Sequence, residues 1–195
     1  MSLQEVYSRG VSMYGRECAE FTDKGLGHSY INTYQSIFNK FPGKTIKMLD
    51  IGVHAGGSLW LWSNYLESYQ LWGMDISAQY IPHRPFQQEL KDNTNIITRW
   101  NRDSTQVSSF EDIPADFDII IDDGDHHPDA QFKTFLAAWP KLSDTGIFVI
   151  EDIVGEDNVN YLIEKIKEVY SDLKFEVYLG NAPNSGDDNI LMITK

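Results

Sequence analysis

Short apolar runs alternate with longer amphipathic stretches along the 195 residues. The runs are Ile46–Ile51, Gln70–Met74, Thr94–Thr98, Phe117–Ile121 and Gly146–Ile150. Stretches at about 57–68, 80–91, 104–110 and 128–141 read as the helices between them, the alternation expected of βα units around a parallel sheet. A further helix at about 156–171 precedes two last strands, Phe175–Leu179 and Asn189–Thr194. The link between those strands, residues 180–188, is turn chemistry throughout, so the pair predicts a hairpin whose last strand runs antiparallel to the rest. Two helical stretches, 3–20 and 29–40, come before the first strand and must pack on the sheet or on a partner. The pattern predicts an α/β fold: a Rossmann-like, doubly wound, mostly parallel seven-stranded sheet with one antiparallel strand and an N-terminal helical addition. No internal repeat divides the chain. One domain, 1–195, is expected, with a helical segment at 1–42 and the Rossmann-like core at 43–195.

Charge narrows the partners. With 29 acidic against 16 basic side chains the formal net charge is −13, and no Lys/Arg cluster interrupts it. A nucleic-acid duplex or an anionic membrane surface would repel such a chain, so neither is expected. A neutral small molecule or a cation is easier to accommodate. No apolar run is long enough to span a bilayer, and the first residues have neither the basic start nor the apolar stretch of a signal peptide. A single cysteine, Cys18, rules out an internal disulfide, which points to a cytoplasmic setting. The five tryptophans read as core packing. Tyr7 and Tyr14 of the N-terminal helices are candidates for a contact in a homo-oligomer.

In a doubly wound sheet, ligands bind at the carboxyl ends of the strands. The first strand ends Met48-Leu49-Asp50-Ile51-Gly52-Val53-His54-Ala55-Gly56-Gly57-Ser58, where glycines allow close backbone approach to a ligand and a helix start supplies free N–H donors. Asp50, Gly52, Gly56 and Ser58 are therefore candidate cofactor contacts. Asp75 closes the second strand 25 residues after Asp50, the place for a carboxylate that accepts both ribose hydroxyls of an adenosine-containing cofactor. Asp103 and Ser104 follow the third strand and face the adenine. The spacing Gly52-x-x-x-Gly56-Gly57 departs from the dinucleotide fingerprint. It suits a cofactor without a pyrophosphate, and Asp50 suits a sulfonium with its amino group.

The fourth strand runs into Asp122-Asp123-Gly124-Asp125-His126-His127-Pro128 and the fifth into Glu151-Asp152. Asp122 joins the cofactor candidates. Neighbouring strands bring both acidic clusters to one edge, where carboxylates repel one another unless a cation compensates. Oxygen ligands alone point to Mg²⁺, or Mn²⁺ or Ca²⁺, rather than zinc. His126 is the candidate general base for an aliphatic hydroxyl that a metal has made more acidic. One of the two histidines is expected to be structural, His127 opening the helix at Pro128.

These segments, with Asp23-Lys24-Gly25-Leu26-Gly27-His28-Ser29-Tyr30, resemble the sugar O-methyltransferases of macrolide biosynthesis. Those are the macrocin and mycinamicin type, related to the cephalosporin-hydroxylase-like proteins. The resemblance spans residues 22 to 153. It implies S-adenosylmethionine as cofactor, and a magnesium ion that holds two adjacent sugar hydroxyls. It further implies metal ligation by Asp123, Glu151 and Asp152, with His126 as base. The segment containing Asp23, His28 and Tyr30 would fold over the cofactor pocket, with helix capping as the alternative for His28. Asp125 stands where the family usually has serine. The implied activity is Mg²⁺-assisted methyl transfer to a hydroxyl of a sugar or other diol-bearing small molecule. The alternatives are a catechol-type O-methyltransferase, a nicotinamide-dependent oxidoreductase, which the glycine spacing disfavours, and a non-catalytic cofactor-binding protein.

Overall fold

The computed structural model describes residues 1–15, 21–25, 27–78, 86–180 and 186–195. Cys18, Leu26, the start of the helix expected at 80–91 and most of the turn at 180–188 lie outside them. Two helices, α1 (Leu3–Tyr14) and α2 (Ile31–Phe38), precede β1 (Ile46–Ile51), α3 (Gly57–Tyr65), β2 (Tyr69–Asp75), α4 (Gln87–Asp92), β3 (Ile96–Trp100) and β4 (Phe117–Asp122). Then follow α5 (Pro128–Ala138), β5 (Leu142–Ile153), α6 (Gly155–Val169), β6 (Lys174–Leu179) and β7 (Asn189–Thr194). The strands make a single seven-stranded sheet in the order β3-β2-β1-β4-β5-β7-β6. Only β7 runs against its neighbours, as the turn-rich link predicts. The order reverses between β1 and β4, which leaves a crevice at their carboxyl ends.

Both faces of the sheet are covered, which is why its strands read as near-continuous apolar runs. Met48, Ile119, Ile121, Ile147 and Val149 pack with α1, α2 and α3 through Leu3, Val6, Tyr34 and Trp60. Leu49, Ile51, Ile120, Phe148 and Ile150 point the other way, onto Phe135, Leu162 and Ile166 of α5 and α6. Local chemistry starts the helices. Ser2 and Glu5 form a capping box on α1, and His127 caps α5 ahead of Pro128 by accepting the Asp129 N–H at 3.3 Å.

The boundaries shift where short polar turns intervene. The third strand starts at Ile96 rather than Thr94, because Asn93 accepts the Asn95 N–H at 3.1 Å and its carbonyl accepts that of Ile96 at 3.0 Å. The helix expected at 104–110 shortens to one 3-10 turn, Val107–Phe110. The fifth strand begins at Leu142 and runs on through Glu151 and Asp152 to Ile153, so those acids belong to the strand itself. Four of the tryptophans, Trp60, Trp62, Trp72 and Trp139, are buried as expected. Tyr7 is buried against Phe21, and the Tyr14 ring meets Trp60 and Phe86 edge-on at 5.3 and 5.1 Å, so both serve the chain's own core. No helix among the described residues is long and apolar enough to cross a membrane.

Candidate active site

The turn after β1 is where the two halves of the sheet meet. Gly52 has φ +87° and donates to Met74 O at 2.9 Å, while Asp123 N donates to Ile51 O at 2.9 Å. A Cβ at Gly52 would lie 1.8 Å from the Asp123 carbonyl oxygen, so only glycine lets the β1 and β4 turns lie side by side. Next to them, the Asp75 carboxylate accepts the backbone N–H groups of His54 and Ser77, both at 2.8 Å. An ionised carboxylate has about four lone-pair sites, so two such bonds leave acceptor capacity. Asp103 accepts from the backbone and hydroxyl of Thr105, at 2.9 and 2.7 Å, and these bonds hold its carboxyl below the usual range. A cavity of about 540 Å³ opens here, lined by Gly52, Asp75, Ile76, Asp103 and Ser104 together with Asp123, His126 and Asp152.

The acid edge is built by an irregular strand end. The β5–β7 register shifts between Ile150 and Ile153, and Asp152 has φ +53°, a conformation that L residues rarely hold without compensation. Instead of alternating across the sheet, Glu151 and Asp152 both turn toward α2. There Tyr34 donates to Glu151 Oε1 at 2.5 Å and Tyr30 to Asp152 Oδ1 at 2.6 Å. These tyrosines are four residues apart and so share one helix face. Lys24 Nζ reaches Asp123 Oδ2 at 2.8 Å and also bonds Glu151 Oε2. Neither Lys24 nor Tyr34 was singled out from sequence. The signal for Tyr34 was its i, i+4 spacing from Tyr30, and Lys24 stood within the Asp23-Lys24-Gly25 motif. The Asp23–Tyr30 segment does reach the site. His28 Nε2 lies 3.6 Å from Asp152 Oδ1, and its ring stacks on Tyr30 at the start of α2.

His126 completes the cluster. Its Nε2 is 3.6 Å from Asp123 Oδ1 and 3.5 Å from Asp152 Oδ2. Ligand atoms of Asp123, His126 and Asp152 all fall within 4.8 Å of one another. The two carboxylates at that separation offer the oxygen ligands that a hard divalent cation takes, leaving its other positions to water or hydroxyl oxygens, and the imidazole stands beside them within reach of such a hydroxyl. The charges interlock. Burial would raise Asp123, yet Lys24 and His126 hold it down at about 2. Burial pushes Asp152 up to about 6 and Glu151 well above the carboxylate range. The Asp123 carboxylate beside it carries His126 up to about 9, with Asp152 adding to it.

That last shift sets an expected result. Without a metal, the His126 imidazole proton should be lost near pH 9 in an NMR titration. Mg²⁺ drawing on Asp123 and Asp152 should move that midpoint down, toward the ordinary value of about 6.5. An unmoved midpoint at saturating Mg²⁺ would mean that these carboxylates do not hold the ion. The accompanying stability term follows the same sign. A raised folded-state value stabilises the protein below about pH 6.5, and the gain is lost as pH rises through about 9.

The structure thus gathers Gly52, Asp75, Asp103, Ser104, Asp123, His126 and Asp152 around one cavity. It places Asp50, Gly56, Ser58, Tyr30, Asp122 and Glu151 outside that lining. Asp50 is fully buried, accepts Trp62 Nε1 at 3.0 Å and is raised by burial to about 6. Gly56 takes a left-handed turn into α3, and Ser58 is buried in its first turn. Asp122 is buried behind Gly124, and burial drives its carboxyl well above the usual range. Two Tyr-x-x-x-Lys spacings, Tyr161/Lys165 and Tyr170/Lys174, do occur, but none of the four residues lines the cavity.

Sheet order, the glycine turn and the acid-ended second strand define a Rossmann-like α/β domain with a ligand cavity at its switch point. The chain belongs to the methyltransferase-domain family, which matches residues 49–153. Among curated relatives, it is 26% identical over 139 residues to the 8-demethyl-8-alpha-L-rhamnosyl tetracenomycin-C 2'-O-methyltransferase of Streptomyces olivaceus, covering 68% of this chain and 35% of that protein. It is 29% identical over 141 residues to the mycinamicin VI 2''-O-methyltransferase of Micromonospora griseorubida, covering 68% and 34%. The chain therefore spans about a third of the length of these relatives. Among solved structures, the MycE methyltransferase of mycinamycin biosynthesis, in complex with Mg and SAH, superposes with a TM-score of 0.72 at 22% identity, over 100% of this chain and 55% of that one. The O-methyltransferase from Bacillus cereus gives 0.66 at 12% identity, over 99% and 90%. Both share the fold.

Proposed function

We propose that the chain transfers the methyl group of S-adenosylmethionine to a hydroxyl of a sugar or other diol-bearing small molecule, with a divalent cation, Mg²⁺, at the acid edge. The observation that carries this reading is the convergence of Asp123, His126 and Asp152 in a cavity that Asp75 also lines. The relatives named as O-methyltransferases of a rhamnosyl tetracenomycin-C and of mycinamicin VI support the acceptor class, and the Mg and SAH of MycE support the two bound groups. A cavity of about 540 Å³ is of the size that holds a small cofactor. Asp75 offers its remaining lone pairs to vicinal hydroxyls, and the exposed Ile76 beside it supplies an apolar wall. Asp103 and Ser104 close the same end.

S-adenosylmethionine would supply an electrophilic methyl, and a divalent cation, which Asp123 and Asp152 would hold, would make an acceptor hydroxyl more acidic. His126 Nε2 takes the hydroxyl proton. For that it must be neutral, and the two carboxylates that now stabilise its imidazolium are those the cation would engage. Tyr30 and Tyr34 hold Asp152 and Glu151 in place. The reaction is carried out in a small-molecule setting, since the −13 charge opposes polyanions.

Calorimetric titration with S-adenosylmethionine, run beside NAD⁺ and with and without Mg²⁺, tests the reading. Binding of the sulfonium cofactor alone is expected. Asp75→Ala should weaken it by about tenfold or more, the worth of a charge-assisted hydrogen bond. Binding of NAD⁺ instead would transfer the site to the oxidoreductase class.

A further inference from the structure

Lys24 is the only lysine or arginine among the described residues that is buried, at 1% exposure. A buried ammonium persists only where carboxylates compensate its lost hydration. Here it bonds Asp123 Oδ2 and Glu151 Oε2, and the charge of Asp50 also acts on it. Asp123 is therefore shared. One oxygen serves Lys24, and the other faces His126 across the cavity wall. Tyr34 takes the second oxygen of Glu151. The cluster thus already contains one positive charge, and it comes from the N-terminal segment, outside residues 49–153.

We propose that Lys24 is an internal surrogate cation: its ammonium holds Asp123 and Glu151 together without a metal, and competes with the divalent ion for Asp123. This inference rests on the metal reading above. Lys24 is a positioning residue, and touches no reacting atom. Its charge lies on the far side of Asp123 from His126, so it draws on a carboxylate that the ion needs and also repels the ion directly. The acid edge stays assembled when empty, at the expense of affinity for the ion.

The sign of one substitution separates this from a scaffolding role. Mn²⁺ binding, read from the free-ion EPR signal, should tighten by about tenfold or more in Lys24→Met, because a neighbouring positive charge is gone. Lys24→Arg, which keeps the charge, should not tighten it. A lysine that merely shaped the site would give weaker binding in Lys24→Met. Thermal melts supply the second reading: Mg²⁺ should raise the Tm of Lys24→Met more than that of the wild type, since the ion replaces the lost ammonium. A variant that folds only with Mg²⁺ present supports the proposal. Unchanged or weaker Mn²⁺ binding in a folded Lys24→Met overturns it, as does a variant that folds neither with nor without Mg²⁺. If neither the wild type nor Lys24→Met binds Mn²⁺, the metal reading itself falls and this inference with it. Binding by Lys24→Met alone would support both.

Discussion

His126→Ala is expected to lower turnover of an aliphatic-hydroxyl acceptor by about 10²- to 10⁴-fold, the range for removing a positioned general base. The imidazole stands 3.6 Å from Asp123 and 3.5 Å from Asp152, in a cavity that Asp75 also lines. Among the described residues no other histidine joins the cluster with Asp123 and Asp152: His127 caps α5, and His28 lies against the other oxygen of Asp152. Affinity for S-adenosylmethionine should change little, because Asp75, Asp103 and Ser104 are untouched. Single-turnover rates with sugar and catechol acceptors check this. A catechol, being the stronger acid, needs a base less, so a variant that keeps most of its rate would favour the catechol-type alternative. Asp123 should also lose one of the cations that hold its carboxyl low, and its midpoint in the variant should rise from about 2.

Gly52→Ala should be the most damaging single methyl addition near the site. Its backbone sits at φ +87°, and the added Cβ would lie 1.8 Å from the Asp123 carbonyl oxygen. Neither neighbour is a flexible side-chain end, so relief requires the β1 and β4 turns to part. Left-handed strain and overpacking each cost about 1–3 kcal/mol, and a combined loss of about 3 kcal/mol or more is expected. Denaturant melts would read it as a lowered midpoint. The same parting moves Asp123, so Mn²⁺ affinity should fall alongside. A variant with wild-type stability and metal affinity would mean that the two turns are not in the contact described.

The sheet was legible because its determinants are local. Apolar runs covered on both faces, the helix cap at His127, and the turn residues before β7 each act within a few residues. The same holds for Asp75 and Asp103, which sit where strands end, and for Asp123 and His126, which sit one turn apart in one loop. The misplacements were of a related kind. Asn93 drew the start of β3 two residues on by forming its own turn, a side-chain bond that a hydropathy pattern does not register.

Which acids face the cavity was a different matter. In a strand the side-chain direction reverses at each residue, so Asp122 and Asp123 look equivalent in sequence and lie on opposite faces in the fold. Glu151 and Asp152 break that alternation only because a register shift and a left-handed Asp152 turn both toward α2. Lys24 is the clearest case. Its partners are 99 and 127 residues away, and a lysine in a polar stretch reads as solvated until packing brings carboxylates to it. The sequence by itself determined the class of fold, the strand-end acids and the histidine, since periodicity and turn chemistry operate over short spans. The tertiary structure alone decided which carboxylates share a cation, because charge compensation depends on distances between segments that only packing sets.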